Sequence, residues 1–293
     1  MKLHAQRSEE PSLAFGGQAL IEGVMMRSRT HLVMCVRQPN NEILTHTEEI
    51  NSLSRRHKIL RLPFLRGIIA LFETFYLGVK GLYFSANAVL EEEEKFTYKE
   101  FAIAVAMALA LTSFFIVVPF LLTTLFNLTG VLFNIIEAGV RLSIFLLYLA
   151  LVAMWGEFKR ILQYHGAEHK AINAHEAGVT LNAANVKKFS RLHPRCGTSF
   201  IFIVLLVSIL LFSIMPELGF ALRLAYRVLL IPVIGAISYE LLKLSDRYKD
   251  SMIMRILTIP GLAFQRLTTR EPDDDMIEVA VKTMKEVRRL SGA

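Results

Sequence analysis

The sequence predicts a mainly α-helical, polytopic membrane protein that also carries a small β unit in the cytosol. Hydrophobic residues make up 53% of the 293 residues, but 33 Lys+Arg and 26 Asp+Glu exclude a chain embedded in the membrane throughout. Residues 101–127 carry no charge over 27 positions, and residues 196–216 carry none over 21. Each run reaches the roughly 20 residues that a helix needs to cross a bilayer. We therefore expect about four transmembrane helices, an interfacial or re-entrant helix, a cytosolic β-hairpin unit and a C-terminal amphipathic helix.

The N-terminal element, residues 1–59, is predicted to be the cytosolic β unit. Residues 31–50 alternate in polarity and are interrupted by QPNN, which indicates two strands joined by a turn. Upstream, Gly16, Gly17 and Gly23 mark positions where the backbone approaches another group closely or takes a positive φ. The first 60 residues lack the apolar run of a signal peptide, so we expect insertion through internal helices.

The next element, residues 60–95, is predicted to be an interfacial or re-entrant helix. Its apolar sequence is interrupted by Arg66, Glu73 and Lys80, so it is not counted as a full span. The acidic run at 91–94 then precedes the first spanning helix, where carboxylates suit the positive end of the helix dipole.

Two transmembrane hairpins are predicted, over residues 96–155 and 198–242. The second helix of each hairpin has a shorter uncharged run, 142–155 or 228–239, and spans only if the preceding turns with charged residues are included. Those charges are spaced i, i+4, so each pair shares a helix face. The arginines either snorkel to headgroups or meet a carboxylate near one membrane surface. The residues concerned are Glu137, Arg141, Glu217, Arg223 and Arg227.

The orientation follows from loop charge. Residues 156–197 hold seven basic and three acidic residues, whereas the hairpin connections near 128–130 and 216–219 hold no Lys or Arg. Positive loops stay in the cytosol, which predicts a multi-pass protein of the inner (plasma) membrane with both termini cytoplasmic. The C-terminal segment, residues 243–293, is also cytosolic. Its residues 268–290 begin with aspartates and end with basic residues, which predicts an amphipathic helix docked on the β unit.

The central cytosolic segment contains YHGAEHKAINAHE, residues 164–176. In a helix, His165 and His169 lie one turn apart on one face with Glu168 beside them. Two such imidazoles commonly bind zinc, and the carboxylate between them can act as a general base, as in the H-x-x-E-H pattern. His175 lies off this face and is expected at the surface.

Further donors follow at the same membrane surface, and three interpretations stay open. His165, His169, His193 and Cys196 would form a closed, structural four-ligand site. His165 and His169 with one carboxylate, Glu240 or Glu176, would leave a position open for water and give Glu168 a catalytic role. Alternatively, Cys196 is a nucleophile beside His193 or His169. A disulfide with Cys35 is not expected, because both cysteines are assigned to the reducing cytosol.

Four segments carry a family resemblance: GGQALIEGVMMR, YHGAEHKAINAHE, HPRCGTSF and LTTREPDDDMIEVAV. Together they resemble the YqhQ-like bacterial membrane proteins, domain of unknown function 1385, described as predicted metal-dependent enzymes. The resemblance runs from about Phe15 to Val287. It implies that Gln18, Glu22 and Arg27 belong to the same site region as the histidines and Cys196.

Two functions are consistent with these patterns. The first is an integral-membrane, hydrolase-like enzyme that depends on zinc or a similar divalent metal. It acts on a lipid-linked or membrane-embedded peptide, ester or phosphoester, with Glu168 moving the proton. Arg27, Arg191 or Arg195 would hold an anionic group of that substrate. The alternative is a non-catalytic assembly or scaffold factor with a structural polar or metal cluster. The basic surface then serves anionic lipid, a ribosome-like partner or another membrane protein, and no specific nucleic acid is expected.

Overall fold

The computed structural model describes residues 15–53, 57–214, 219–248 and 251–292. The protein is mainly helical with a small antiparallel sheet, which confirms the predicted class in outline. The strands are β1 (Gly16–Leu20), β2 (Gly23–Arg27), β3 (His31–Arg37) and β4 (Ile43–Glu49). The helices are α1 (Leu65–Val89), α2 (Tyr98–Thr124), α3 (Gly130–Val152), α4 (Gly156–Glu176), α5 (Ala183–Val186), α6 (Gly197–Ser213), α7 (Phe220–Leu229), α8 (Ile231–Arg247), α9 (Met252–Thr268) and α10 (Asp274–Ser291).

The β unit is larger than the predicted hairpin. Its four strands pair antiparallel in the order β1-β2-β3-β4, and the glycine-rich segment upstream of residue 31 forms β1 and β2. A two-residue loop, Ile21 and Glu22, joins these strands, and Glu22 adopts a positive φ of 50°. The segment GGQAL has no β-branched residue, so local propensity does not indicate a strand there. Contacts with α1 and α4 stabilise this strand instead.

The sheet is the middle layer of a three-layer unit, between α1 on one face and α4 with α10 on the other. Side chains alternate along β2 and β3, and both strands are buried on both faces. One face, with Val24, Met26, Val33 and Cys35, packs against α4 and α10. The other face packs against α1 through a second group of apolar residues: Leu20, Met25, Leu32, Met34, Val36 and Leu77.

The C-terminal helix α10 docks on the sheet and on α4, as its amphipathic pattern predicts. Asp274 and Asp275 lie in its first turn, and Arg288 and Arg289 lie in its last turn. Both pairs complement the helix dipole. Gly292 ends the helix in the left-handed conformation, with a φ of 69°.

The helical part differs in detail from the predicted two hairpins. Three helices, α1, α2 and α3, are long and apolar enough to cross a membrane, and α7 with α8 forms a fourth candidate bent by 42°. Pro232 lies in the first turn of α8, where its missing N–H costs no helical hydrogen bond, so the position suits the start of a new helix. The predicted third span corresponds to α6, which has 17 residues and is shorter than the three long helices.

An ion-pair network joins the two helical hairpins. Glu137 on α3 pairs with Arg141 on the same helix and with Arg227 on α7. Arg227 is 2% exposed, and it also donates to Asn134 and lies between the rings of Phe120 and Phe212. Of the two alternatives for the charged turns, Arg227 therefore meets a carboxylate rather than snorkelling. Glu217 lies outside the described residues.

Candidate metal centre

The polar face of α4 lines a cavity of about 410 Å³. His165, Glu168 and His169 follow one another at helical spacing, so all three side chains point to this cavity. Its other walls are β1, the residues just before α6, and Thr74 of α1. The H-x-x-E-H segment is therefore helical, and its face is turned to a partly open cavity beside β1 and the start of α6.

His165 is held by a backbone carbonyl and points to a thiol. Its Nδ1 lies 2.8 Å from the carbonyl oxygen of Thr268, and its Nε2 lies 3.2 Å from Cys196 Sγ. A carbonyl oxygen can only accept, so Nδ1 carries a proton, and in the uncharged form of the ring Nε2 carries a lone pair. The lone pair is directed at the position that Cys196 also faces.

His169 repeats this arrangement one turn later. Its Nδ1 lies 2.6 Å from the carbonyl oxygen of Arg191, and its ring centroid lies 4.4 Å from that of His165. Burial lowers the pKa of His169, an effect that its contact with Cys196 opposes. The neutral ring therefore also presents Nε2 as a donor atom.

The two histidines and Cys196 form a set of metal donors. One ligand atom from each residue lies within 4.8 Å of the other two. Two imidazoles and a thiolate suit zinc, and three protein ligands leave a fourth position open. Metal-bound histidines usually donate their second ring nitrogen to a carbonyl or carboxylate, as both histidines do here. The residues present therefore fit a zinc ion.

Glu168 lies on the same cavity wall and is 4% exposed. Burial raises its pKa to about 7, and the charges of His165 and His193 oppose this effect. Gly17 of β1 packs directly on the carboxyl group, since a Cβ at that glycine would stand 2.5 Å from Oε1. Within the described ranges, no protein donor bonds the carboxyl oxygens. They are left to interact with whatever occupies the cavity.

His193 lines the cavity without joining the donor set. Its Nε2 lies 3.3 Å from Glu176, and its Nδ1 accepts the backbone N–H of Arg195 at 3.3 Å. The Arg195 guanidinium also pairs with Glu176. The closed four-ligand set is consequently not formed in this arrangement. Glu176, at the end of α4, orients His193 and Arg195 and is not a third carboxylate ligand here. His175 is half-buried, with its ring edge-on to Phe15 at 4.8 Å.

Glu240 lies away from the donor set. Its carboxylate forms a two-bond ion pair with Arg66 of α1, in which Nε lies 2.7 Å from Oε1. Neither residue lines the cavity. The proximity expected from the cytosolic end of the fourth span therefore brings Glu240 to α1 and not to the histidines.

The three residues implied by the family resemblance occupy different places. Gln18 lines the cavity, and its side chain reaches Gly78 of α1. Glu22 forms a two-bond ion pair with Arg160 at 2.5 Å and accepts from Tyr164, so it fastens the β1–β2 turn to α4. Arg27 lies at the end of β2, opposite Leu32, and does not line the cavity.

Several residues that build the site carry no signal that marks them in the sequence. Gln265 of α9 is fully buried and binds both the N–H and the carbonyl of His193 at 2.8 Å. Lys170 donates to the carbonyls of Lys187 and Phe189, and Asn173 donates to those of Ser190 and Leu192. Polar residues of α4 and α9 thus hold the segment from 187 to 196 by its backbone. Two segments quoted for the family resemblance do contain some of these residues: YHGAEHKAINAHE includes Lys170 and Asn173, and LTTREPDDDMIEVAV includes Thr268, whose carbonyl binds His165.

Comparison with known proteins agrees with the quoted motifs. Residues 62–290 match the family described as "Protein of unknown function (DUF1385)". The chain belongs to the DUF1385 family. It is 36% identical over 303 aligned residues to the protein described as "Uncharacterized protein YqhQ" of Bacillus subtilis (strain 168), with 94% of this chain and 93% of the relative covered. No solved structure matches. The resemblance to the YqhQ-like proteins is confirmed, and these names state no reaction for DUF1385 proteins.

Proposed function

We propose that this DUF1385 protein is an integral-membrane, zinc-dependent hydrolase whose site lies at the cytosolic membrane surface. One observation carries the proposal: His165, His169 and Cys196 bring their donor atoms together on the same cavity as an unpaired, buried Glu168. A purely structural zinc site has four protein ligands, whereas a catalytic one keeps a position open. A cavity of about 410 Å³ beside that position leaves room for a substrate.

Each residue has a distinct part in the proposed reaction. When bound, zinc supplies Lewis-acid polarisation of a carbonyl or phosphoryl oxygen. His165 and His169 are kept in the binding tautomer by the carbonyls of Thr268 and Arg191. Glu168 takes a proton from the attacking water and passes it to the leaving group. Arg195, on the cavity wall beside Glu176, is the arginine placed to orient an anionic part of the substrate.

The membrane arrangement is supported by a parity argument. The sheet and α4 share one core, so both lie on the same side of the bilayer. The chain between the sheet and α4 must therefore cross the membrane an even number of times. If the apolar helices α2 and α3 both cross, then α1 does not, in agreement with an interfacial or re-entrant helix. The C-terminal half of α1 also packs on the sheet, through Leu77 and Gly81.

The same argument applies to the second hairpin. Gln265 of α9 binds the backbone of His193, which precedes α6, so α6 and the bent α7–α8 pair together cross an even number of times. The excess of basic residues in 156–197 favours a cytosolic site in the inner membrane. Reporter fusions at both termini test this topology: both ends should report the cytosol, and a signal from the outer side of the membrane at either end contradicts it.

A second candidate function is favoured by the contact between Cys196 and His165. The 3.2 Å separation of Sγ and Nε2, at the residue before α6, is also the arrangement of a thiol nucleophile with its base. In this case Cys196 would attack the substrate without a metal ion, and chelation would leave activity unchanged. A non-catalytic scaffold, in contrast, would retain function after loss of Glu168.

Metal analysis of the purified full-length protein tests the proposal. We expect about one zinc per wild-type chain, as for a single closed or open site, and loss of that zinc in His165→Ala/His169→Ala. His175→Ala, on the same helix but outside the donor set, is the matched control and should retain zinc. Glu168→Gln should retain zinc and lose function in cells. Equal metal content in all four proteins would remove the site, and a fully functional Glu168→Gln protein would remove the catalytic role.

A further inference from the structure

Strand β1 forms an open edge of the sheet. It pairs with β2 alone, and in the part of the chain that the structure describes no backbone group from another element bonds Gly16–Leu20. In an antiparallel ladder, every second residue of an edge strand turns its N–H and C=O away from the neighbouring strand. These groups form a row that another extended chain can pair with.

This edge faces the candidate metal centre. Four consecutive residues, 16–19, line the cavity. Side chains alternate between the two faces of a strand, so consecutive residues share a cavity only when the edge of the strand faces it. The opposite wall carries His165, Glu168, His169 and Cys196. The unpaired backbone groups and the proposed reacting groups therefore border the same space.

The two edges of the sheet are built differently. The other edge strand, β4, carries His46, Glu48 and Glu49, and charged side chains are a common protection against unwanted strand pairing. β1 has the sequence GGQAL, with no charge and no proline. A Cβ at Gly16 would meet no atom within 4 Å, so the backbone there is open to the close approach of a second backbone. The unprotected edge is the one that borders the cavity.

From this placement we infer that the protein binds an extended polypeptide segment as an added strand on β1. The inference rests on the proposed function, because it names the substrate class of that same site. Five residues of β1 extend about 17 Å, enough to align a short peptide on both sides of the bond to be cut. Main-chain pairing provides affinity for such a ligand without requiring a particular sequence.

Peptide hydrolysis at this position needs water as the only co-reactant. The oxygen of water bonds to the carbonyl carbon of the aligned peptide and the C–N bond breaks. Glu168 accepts one proton of that water and delivers it to the leaving amine, and the other product is a carboxylic acid, which ionises by releasing its proton to solvent. A lipid ester would need no strand edge. It is the competing outcome of the test.

Hydrogen–deuterium exchange of the full-length protein locates the ligand. The Glu168→Gln variant, loaded with zinc in nanodiscs of phosphatidylcholine and phosphatidylglycerol, is measured with and without unfolded α-casein as the polypeptide probe. We expect casein to slow exchange of the β1 amides at least about tenfold. The β4 amides serve as the internal control and should not change. Unchanged β1 exchange at saturating casein overturns the inference. The inference is also overturned if β1 exchange slows when the protein is moved from detergent to lipid and casein gives no further slowing.

The result separates this inference from the proposed function. Protection of β1 without bound zinc would leave the peptide site standing and remove the metal-dependent reaction. Zinc binding and Glu168-dependent hydrolysis of a fluorogenic ester, with no protection of β1, would support the metal-dependent reaction and remove the peptide site.

Discussion

Gly17 of β1 lies so close to Glu168 of α4 that a Cβ at Gly17 would stand 2.5 Å from the carboxyl Oε1. The strand backbone therefore sets where the carboxyl group can be. At the neighbouring Gly16, in the same strand, a Cβ would meet no atom within 4 Å. The two adjacent glycines provide a test of whether Glu168 must be held in this place.

Gly17→Ala is expected to move Glu168 while the protein stays folded. The atoms that the new Cβ meets belong to the end of a flexible side chain, so the carboxyl group yields and the strand does not. A displacement of about 1 Å can cost on the order of 100-fold in rate. The measurement is turnover of whichever probe the wild type hydrolyses, with zinc content and melting temperature alongside. Gly16→Ala should match the wild type in zinc content and melting temperature, because its Cβ meets no atom within 4 Å. An equally active Gly17→Ala protein would show that the position of Glu168 is unimportant.

Gly166→Ala is expected to weaken both the fold and the metal site. A Cβ at Gly166 would stand 2.1 Å from the backbone oxygen of Arg270, which cannot rotate away. We expect a loss of about 1–3 kcal/mol in unfolding free energy, as for other overpacked positions. The nearby Thr268 carbonyl would also shift from His165, and loss of such a partner typically lowers metal affinity by about 10–100-fold.

The control for this change lies on the same helix. Gly156 begins α4 and has nothing within 4 Å of a Cβ, so Gly156→Ala should keep stability and zinc affinity. Thermal unfolding and a zinc titration against a chelating indicator measure both quantities. Unaltered behaviour of Gly166→Ala would mean that α4 and the residues after α9 are not packed as described.

The two cysteines are predicted to behave differently although both are buried and in the thiol form. Cobalt(II) bound at the site should show a sulfur-to-metal charge-transfer band, because Cys196 supplies a thiolate ligand. Cys196→Ala should abolish the band, and Cys35→Ala should retain it. Cys35 lies in the sheet core, where burial raises the pKa of its thiol. A band that survives in Cys196→Ala would remove this residue from the donor set.

Sequence patterns predict the contacts of this site that lie within one element, because those residues are close together in the chain. The spacing of His165, Glu168 and His169 predicts one shared face, since helical periodicity is local, and the structure brings these side chains to one cavity. The uncharged run 101–127 likewise predicts α2, because length and composition alone decide whether a helix can span, whereas α3 reaches that length only with its charged turns included. Both predictions concern neighbours within one element.

Sequence spacing does not predict contacts between elements that lie far apart in the chain. Glu240 and Arg66 pair across 174 residues, and no spacing rule connects them. His193 and Cys196 are three positions apart, yet Cys196 alone joins the donor set, because Glu176 and a backbone N–H engage the His193 ring. The anchors of His165 and His169 are carbonyl oxygens, which every residue possesses. Strand β1 is a strand through its pairing with β2 and its contacts with α1 and α4, and not through its composition.

The buried pair of Glu137 and Arg227 is predicted to couple the two helical hairpins strongly. Glu137→Leu would leave Arg227 buried without its carboxylate partner, and removing one member of a buried pair typically costs about 3–5 kcal/mol. The double variant Glu137→Leu/Arg227→Leu should lose less than the sum of the two single variants. Denaturation in mixed micelles measures the four proteins of this cycle.

An exposed pair supplies the comparison. Lys95 and Glu92 also form an ion pair, but the Glu92 side chain is 86% exposed, so water screens it and Glu92→Leu should change stability little. The two glutamates differ mainly in burial, so a difference between them measures the effect of removing water from the pair. If the Glu137 and Arg227 losses simply add, the hairpins are not joined through this pair. In that case Asn134, which bonds both the Phe212 carbonyl and Arg227, is the remaining polar link between α3 and the second hairpin among these residues.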